Sequence, residues 1–139
     1  MTIKEIQDSI IDEFSLYEDW MDKYAYIIDL GKECPLIDEK YKNDKYLIEG
    51  CQSRVWLHCE MRDGRLWFSA DSDAVITKGI IYLLIRVFNG QKPQDIFDCD
   101  IEFLDKIGLR EHLSPTRSNG LTAMIKQLRT YALAYTIKG

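Results

Sequence analysis

The sequence lacks an excess of positive charge. Its 18 lysine and arginine residues are outnumbered by 23 aspartate and glutamate residues, which gives a formal net charge of -5 at pH 7. Nucleic-acid binding needs basic side chains gathered on one face, where they meet the phosphate backbone. The charge balance therefore argues against nucleic acid as a partner.

Long apolar runs are absent as well. The most apolar stretch, IIYLLIRVF at residues 80–88, is shorter than the roughly 20 residues of a membrane span and contains Arg86. The N-terminal stretch MTIKEIQDSIIDEF interleaves acidic with apolar residues, whereas a secretory signal joins a basic start to an uninterrupted apolar stretch. We therefore expect a core helix at residues 80–88, no membrane association and a cytoplasmic location.

Paired cysteine motifs are missing too. The four cysteines show no CxxC spacing, so a structural zinc site is poorly supported. Two disulfides are possible by count, but neither an export signal nor dense cysteine spacing favours them. We expect reduced thiols, no metal and no bound cofactor, which leaves any chemistry to individual cysteines: Cys34, Cys51, Cys59 and Cys99.

The composition that is present is typical of one folded domain. With 139 residues, 46% hydrophobic and 29% charged, the chain can bury one continuous core, and we predict a single domain over residues 1–139.

Apolar residues at spacings of three and four predict amphipathic helices at residues 3–16 and from residue 18 to Gly31. The polar residues 32–45 show no sustained period and predict a connecting loop.

The middle of the chain predicts a small antiparallel sheet. The strand candidates are residues 46–48, 54–61 and 65–70, and Arg62-Asp63-Gly64 predicts a hairpin between the last two. Alternation along the second strand directs one set of side chains to the core. These side chains are Val55, Leu57, Cys59 and Met61.

Helices are predicted for the rest of the chain. Asp71-Ser72-Asp73 predicts the N-cap of a largely apolar helix at residues 73–88, the central packing partner of the sheet. Shorter helices are predicted at residues 93–96 and 101–107, and Ser114-Pro115 predicts the start of a long terminal helix. The predicted fold class is α+β, with a three-stranded antiparallel sheet covered on one face, in the order ααβββα followed by further helices.

The segment IEGCQSRVW gives one cysteine a setting of its own. Gly50 permits a sharp turn before Cys51, and Gln52 and Ser53 supply hydrogen-bonding groups after it. Apolar flanks would raise the pKa of the thiol until a nearby group stabilises the anion, and Arg54 is the nearest candidate. The residues alone leave open whether Cys51 is a presented nucleophile or a small apolar plug at a strand end.

Two other interpretations of these polar residues are weaker. A metal site that joins Cys51 to His58, Cys59 or Asp71 is disfavoured, because strand alternation puts His58 and Cys59 on opposite faces. Asp71 and Asp73 could act as a carboxylate pair, but capping of the following helix explains them better.

Five segments together resemble the SufE family of sulfur acceptors. They are YIIDLGK, IEGCQSRVW, DSDAVITKGII, KPQDI and HLSPTRSNGLTAMI, and they span most of the chain in the family's order. The elements Gly-Cys-Gln-Ser-x-Val-Trp and Ser-Pro-x-Arg-Ser-x-Gly-Leu are the most specific, and this sequence departs from neither. The resemblance implies a SufE-like domain with a fold similar to the IscU-type scaffolds.

The resemblance implies that Cys51 takes sulfur from a persulfide on a PLP-dependent cysteine desulfurase of the SufS type, by thiol-disulfide exchange chemistry. The chain would stimulate that desulfurase and pass the sulfur to an iron-sulfur scaffold complex of the SufBCD type. It would be a carrier rather than an enzyme, with a transient persulfide on Cys51 in place of a cofactor. Its cysteine-bearing loop would tuck into an apolar cavity while no partner is docked.

Supporting residues are implied by the same resemblance. From the residues alone, Arg117 could help begin the last helix, stabilise an anion or contact a partner. The resemblance implies that it helps to place the loop or the partner. Asp71, Asp73 and Lys78 would form part of the docking surface. The residues expected to support the loop are Gly50, Gln52, Ser53 and Arg54.

Two alternatives remain open at this point. One is an acceptor for a paralogous desulfurase that feeds other sulfur pathways, such as cofactor or RNA thiolation. The other is a scaffold that holds a metal ion or a nascent cluster through its cysteines.

Overall fold

The computed structural model describes residues 1–138. Its helices and strands follow in the order α1 (Ile3–Phe14), α2 (Trp20–Gly31), β1 (Val55–Arg62), β2 (Arg65–Ser72), α3 (Val75–Phe88), α4 (Pro93–Asp98), α5 (Phe103–Lys106) and α6 (Pro115–Lys138). Short 3-10 helices lie at Glu39–Tyr41, Asp44–Tyr46 and Arg110–His112. The helices pack against a small antiparallel sheet, so the α+β prediction is confirmed. Over the described residues, no helix combines the length and apolarity needed to cross a membrane.

β1 and β2 form an antiparallel hairpin where the sequence predicts it. Asp63 and Gly64 make the two-residue turn with φ angles of 54° and 76°, a backbone that matches the twist of paired strands. Leu57 and Cys59 are buried on the inner face, as predicted. Met61 is 37% exposed, so its predicted place in the core is wrong. The last three residues of β1 are all exposed, because this end of the hairpin extends past the core.

The predicted third strand at residues 46–48 is wrong. Over the described part of the chain, the sheet has two strands. Leu47 forms a single isolated bridge to Trp56, and the residues before it belong to the 3-10 helix Asp44–Tyr46. The pairing therefore stops after one bridge.

Side chains of α6 occupy the edge of β1 along which a third strand would pair. The Tyr131 hydroxyl donates to the Leu57 carbonyl oxygen (3.1 Å), and the Tyr135 hydroxyl donates to the Cys59 carbonyl oxygen (3.4 Å). Backbone carbonyl groups withdrawn from water need a hydrogen-bond partner. Because the two tyrosines provide that partner, the sheet ends at β1 without another strand.

The apolar helix α3 lies at the centre of the fold, as predicted. Most of its 14 residues are buried, and it packs on β2 and on α2. At the crossing with α2, a Cβ built on Gly79 would lie 2.1 Å from the Ile27 carbonyl oxygen, and one built on Gly31 would lie 3.0 Å from the Gly79 amide nitrogen. The two helix backbones therefore touch, which requires glycine at position 79.

The predicted N-cap of α3 by Asp71-Ser72-Asp73 is wrong. α3 begins at Val75, after an Ala74 cap that has no side-chain hydrogen bond. The Asp71 carboxylate binds lysine side chains, and the Asp73 carboxylate binds a backbone amide outside the helix. Both carboxylates thus bind lysine side chains or a loop amide instead of the first backbone amides of α3.

Candidate functional site

Cys51 lies on the loop that precedes β1, directly against α6. Gly50 comes before it with a φ of 94°, in the left-handed region that favours glycine. A Cβ built on Gly50 would lie 3.2 Å from the Cβ of Ala123 on α6, so the loop backbone passes close to that helix. At position 50 the backbone thus combines a left-handed φ angle with a close approach to α6.

The Cys51 thiol is half-buried between its loop and α6. It donates a hydrogen bond to the Gly120 carbonyl oxygen, with 3.5 Å between Sγ and O. Burial raises the pKa of the Cys51 thiol, and a hydrogen bond donated by the protonated form acts in the same direction. The resting sulfur is therefore a neutral thiol, which is a weaker nucleophile than the thiolate.

Asp73 anchors the other end of the loop. Its carboxylate accepts a hydrogen bond from the Arg54 amide (3.0 Å), and its own amide donates to the Arg54 carbonyl oxygen (3.2 Å). Arg54 takes part through its backbone, while its side chain is exposed. The loop is thus held at two places, by Gly120 at the thiol and by Asp73 next to the start of β1.

Asp73→Ala is expected to loosen the Cys51 loop. The Arg54 amide loses its acceptor, and a lost hydrogen bond of about 1 kcal/mol corresponds to a roughly fivefold larger open population. Alkylation of Cys51 by iodoacetamide, followed by mass spectrometry, should therefore accelerate about fivefold. Asp73→Asn keeps an acceptor oxygen, and Asp8→Ala removes an exposed carboxylate on α1, so both should react like the native chain. An unchanged rate in Asp73→Ala would show that the loop is held elsewhere.

Asp71 forms a partly buried charge cluster with two lysines. Its carboxylate lies 2.5 Å from Lys42 Nζ and 3.3 Å from Lys78 Nζ. Burial alone would raise the pKa of Asp71, but hydrogen bonds from Lys42, the Ser72 amide and Lys78 hold that pKa below its usual range. The hydrogen bond to Asp71 also raises the pKa of Lys42. Asp71 and Lys78 are therefore engaged within the chain, where they tie residues 32–45 and α3 to β2.

The other predicted site residues lie at or near the surface. Gln52 is exposed, and Ser53 is half-buried. Arg117 is exposed in the first turn of α6, and its backbone amide donates to the Ser114 hydroxyl (3.3 Å), which confirms the predicted cap of that helix. Across residues 1–138, the Arg117 guanidinium has no hydrogen bond or ion pair. Gly120 follows three residues later on the same helix, so the backbone of Arg117 lies about one turn from the residue that accepts the hydrogen bond of the Cys51 thiol.

The residues of the disfavoured metal site have separate partners. His58 stacks on Tyr41 with 3.8 Å between ring centroids. Cys59 is buried, and burial raises its pKa to about 12. In the part of the chain that the structure describes, no three His, Cys, Asp or Glu side chains form a group that could hold a metal ion. All four cysteines are free thiols.

Two residues of the site were missed in the sequence. Gly120 supplies the acceptor of the Cys51 thiol, and Lys42 pairs with Asp71. Gly120 carried a signal, because a glycine inside a helical pattern costs about 1 kcal/mol relative to alanine and often marks close packing. Lys42 carried none, since it is one of several lysines in a polar segment without a regular period.

The fold and the site define an α+β protein that presents a half-covered thiol on a loop between a two-stranded sheet and its last helix. The chain belongs to the SufE family, because the family model described as "Fe-S metabolism associated domain" matches residues 8–132. SufE proteins are sulfur-transfer partners that interact with a cysteine desulfurase. The resemblance seen in the sequence motifs is thereby confirmed.

Two individual proteins are similar over nearly the whole chain. An uncharacterized SufE-like protein of Rhizobium meliloti (strain 1021) is 38% identical over 130 residues, which cover 90% of this chain and 93% of the relative. The solution structure of a hypothetical protein from Thermus thermophilus has a TM-score of 0.76 at 17% identity, and covers 93% of this chain and 94% of that chain. At this identity the structural likeness shows a shared fold.

Proposed function

We propose that this chain accepts sulfur on Cys51 from the persulfide of a PLP-dependent cysteine desulfurase of the SufS type. It carries the sulfur as its own persulfide in the cytoplasm and delivers it to an iron-sulfur scaffold complex of the SufBCD type. Because it removes the persulfide sulfur from the cysteine of the desulfurase, it also stimulates that enzyme. The supporting observation is the position of Cys51, a half-covered thiol at a glycine turn of a SufE-family chain, held by a few hydrogen bonds.

Sulfur transfer proceeds by attack of the Cys51 thiolate on the outer sulfur of the desulfurase persulfide. The Cys51 thiol first gives up its proton. A bond then forms between Cys51 Sγ and the outer sulfur, while the S–S bond of the partner breaks. The electron pair of that bond leaves with the partner's cysteine sulfur, which takes up a proton. One persulfide is consumed and one is formed, so the step needs no external oxidant or reductant.

Docking has to change the surroundings of Cys51 before this step. The resting thiol is neutral and bound to the Gly120 carbonyl, so the desulfurase has to move the loop off α6 or supply a group that stabilises the thiolate. Arg117 is suited to contact an anionic group of the partner, because it is exposed and unpaired within the described residues. Asp71, Asp73 and Lys78 are paired within the resting chain, and they are proposed to form part of the surface on which the desulfurase docks.

Transfer in a defined mixture tests the proposal. The reduced chain is incubated with a SufS-type desulfurase and cysteine, and its intact mass should rise by about 32 Da, one sulfur atom, as persulfide exchange requires. Peptide mapping should place the added sulfur on Cys51. Unmodified Cys51 under turnover, or sulfur on a different cysteine, would contradict the proposal.

A further inference from the structure

Cys51 packs directly on the backbone of Gly120, a contact that we call the Gly120 seat. Sγ lies 3.5 Å from the Gly120 carbonyl oxygen. A Cβ built on Gly120 would have three atoms of Cys51 as its nearest neighbours, at 3.5 Å for Sγ, 3.8 Å for Cα and 3.9 Å for Cβ. Gly120 itself is buried. The thiol therefore lies in direct contact with the helix backbone at position 120.

A second sulfur atom has no room in the Gly120 seat. An S–S bond is about 2.05 Å long, so an outer sulfur pointing from Sγ to the Gly120 oxygen, 3.5 Å away, would stop about 1.5 Å from that oxygen. That separation is far inside the contact distance of the two atoms. The outer sulfur of a persulfide on Cys51 must therefore point away from α6, or Cys51 must withdraw from the seat.

The hydrogen bond to Gly120 is also lost when Cys51 carries sulfur. Sγ of a persulfide has no proton to donate. The terminal S–H of a persulfide is more acidic than a thiol, so at neutral pH the outer sulfur is an anion and donates nothing. A carbonyl oxygen repels such an anion. Within residues 1–138 no charged side chain forms a hydrogen bond or ion pair with Cys51 Sγ that would offset this repulsion.

We propose that the Gly120 seat holds Cys51 while it is a protonated thiol without transferred sulfur, and releases the loop once Cys51 carries a second sulfur. This inference rests on the proposed function. It makes Gly120 a positioning residue, because loading of Cys51 with sulfur then exposes that sulfur. After loading, the loop keeps its Asp73 anchor at β1 and loses its contact with α6. The carried sulfur then faces solvent, where the next acceptor can reach it.

Hydrogen exchange of the amides of residues 49–53 tests this release, with the Arg54 amide, which stays bound to the Asp73 carboxylate, as the internal reference. A Cys99→Ser background keeps the other half-buried thiol from reacting. Cys51 is loaded with inorganic polysulfide, or converted by methyl methanethiosulfonate to a neutral S–S–CH3 group. In both forms exchange should be about fivefold faster than in the reduced protein, the change expected from one lost hydrogen bond. Equal exchange in the reduced and loaded proteins would overturn the inference.

Two variants of Cys51 separate the hydrogen bond from the added sulfur. The hydroxyl of Cys51→Ser can donate to the Gly120 oxygen but takes no sulfur, so both treatments should leave its exchange unchanged. Cys51→Ala has no donor and should exchange faster than Cys51→Ser. Equal exchange in these two variants would refute the role of the hydrogen bond. Since neither reagent involves a desulfurase, a failure here is distinguishable from a failure of the mass measurement that tests the proposed function.

Discussion

Cys51→Ser is expected to abolish sulfur transfer and to leave the fold intact. Serine keeps a donor for the Gly120 carbonyl oxygen, so the loop can stay in place. A hydroxyl forms no persulfide, because the exchange needs a sulfur nucleophile that becomes one half of the new S–S bond. With desulfurase and cysteine, the variant should gain none of the roughly 32 Da that marks one transferred sulfur, and alanine release by the desulfurase should fall to the rate without the chain.

Cys99→Ser is the matched control for this loss. Cys99 is also a half-buried free thiol, and its Sγ donates to the Ile96 carbonyl oxygen (3.2 Å), a bond that a serine hydroxyl can replace. This variant should accept sulfur and stimulate the desulfurase like the native chain. Normal transfer by Cys51→Ser, or loss of transfer in Cys99→Ser, would show that Cys51 is not the acceptor.

The features that could be predicted from the sequence depend on neighbours along the chain. Asp63 and Gly64 form the predicted hairpin turn because both adopt the positive φ that such a turn requires. Gly50 likewise marks the turn that carries Cys51, so the cysteine and its loop are recognisable from a few adjacent letters. The apolar run that becomes α3 predicts a buried helix by its composition alone.

Two of the wrong predictions, the third strand and the N-cap of α3, involve partners that lie elsewhere in the sequence. Residues 46–48 resemble a short strand, but the carbonyl groups along the edge of β1 accept hydrogen bonds from Tyr131 and Tyr135, more than 70 residues away. Asp71 and Asp73 resemble helix caps, but one binds two lysines and the other binds the backbone of Arg54. Local patterns do not say which of two possible partners a polar group takes.

Gly79→Ala is expected to destabilise the fold severely, because position 79 is where the α2 and α3 backbones meet. The added Cβ would lie 2.1 Å from the carbonyl oxygen, 2.6 Å from Cγ2 and 2.7 Å from the carbonyl carbon of Ile27. Two of these atoms are backbone, so a side-chain rotation cannot relieve the clash and the two helices must move apart. Such overpacking costs about 3 kcal/mol or more, a large share of the roughly 5–15 kcal/mol that keeps a domain folded.

Thermal and urea unfolding measure this effect, and Gly120→Ala controls for the loss of a helical glycine. At about 3–4 °C per kcal/mol, the melting temperature of Gly79→Ala should fall by roughly 10 °C or more. A Cβ on Gly120 would meet its nearest neighbour, Cys51 Sγ, at 3.5 Å, which is an ordinary contact. Alanine is also favoured over glycine in a helix by about 1 kcal/mol, so Gly120→Ala should melt at or above the native temperature. A loss of stability confined to Gly79→Ala would assign the destabilisation to the backbone contact between α2 and α3. If both variants had native stability, that contact would not be as close as the structure places it.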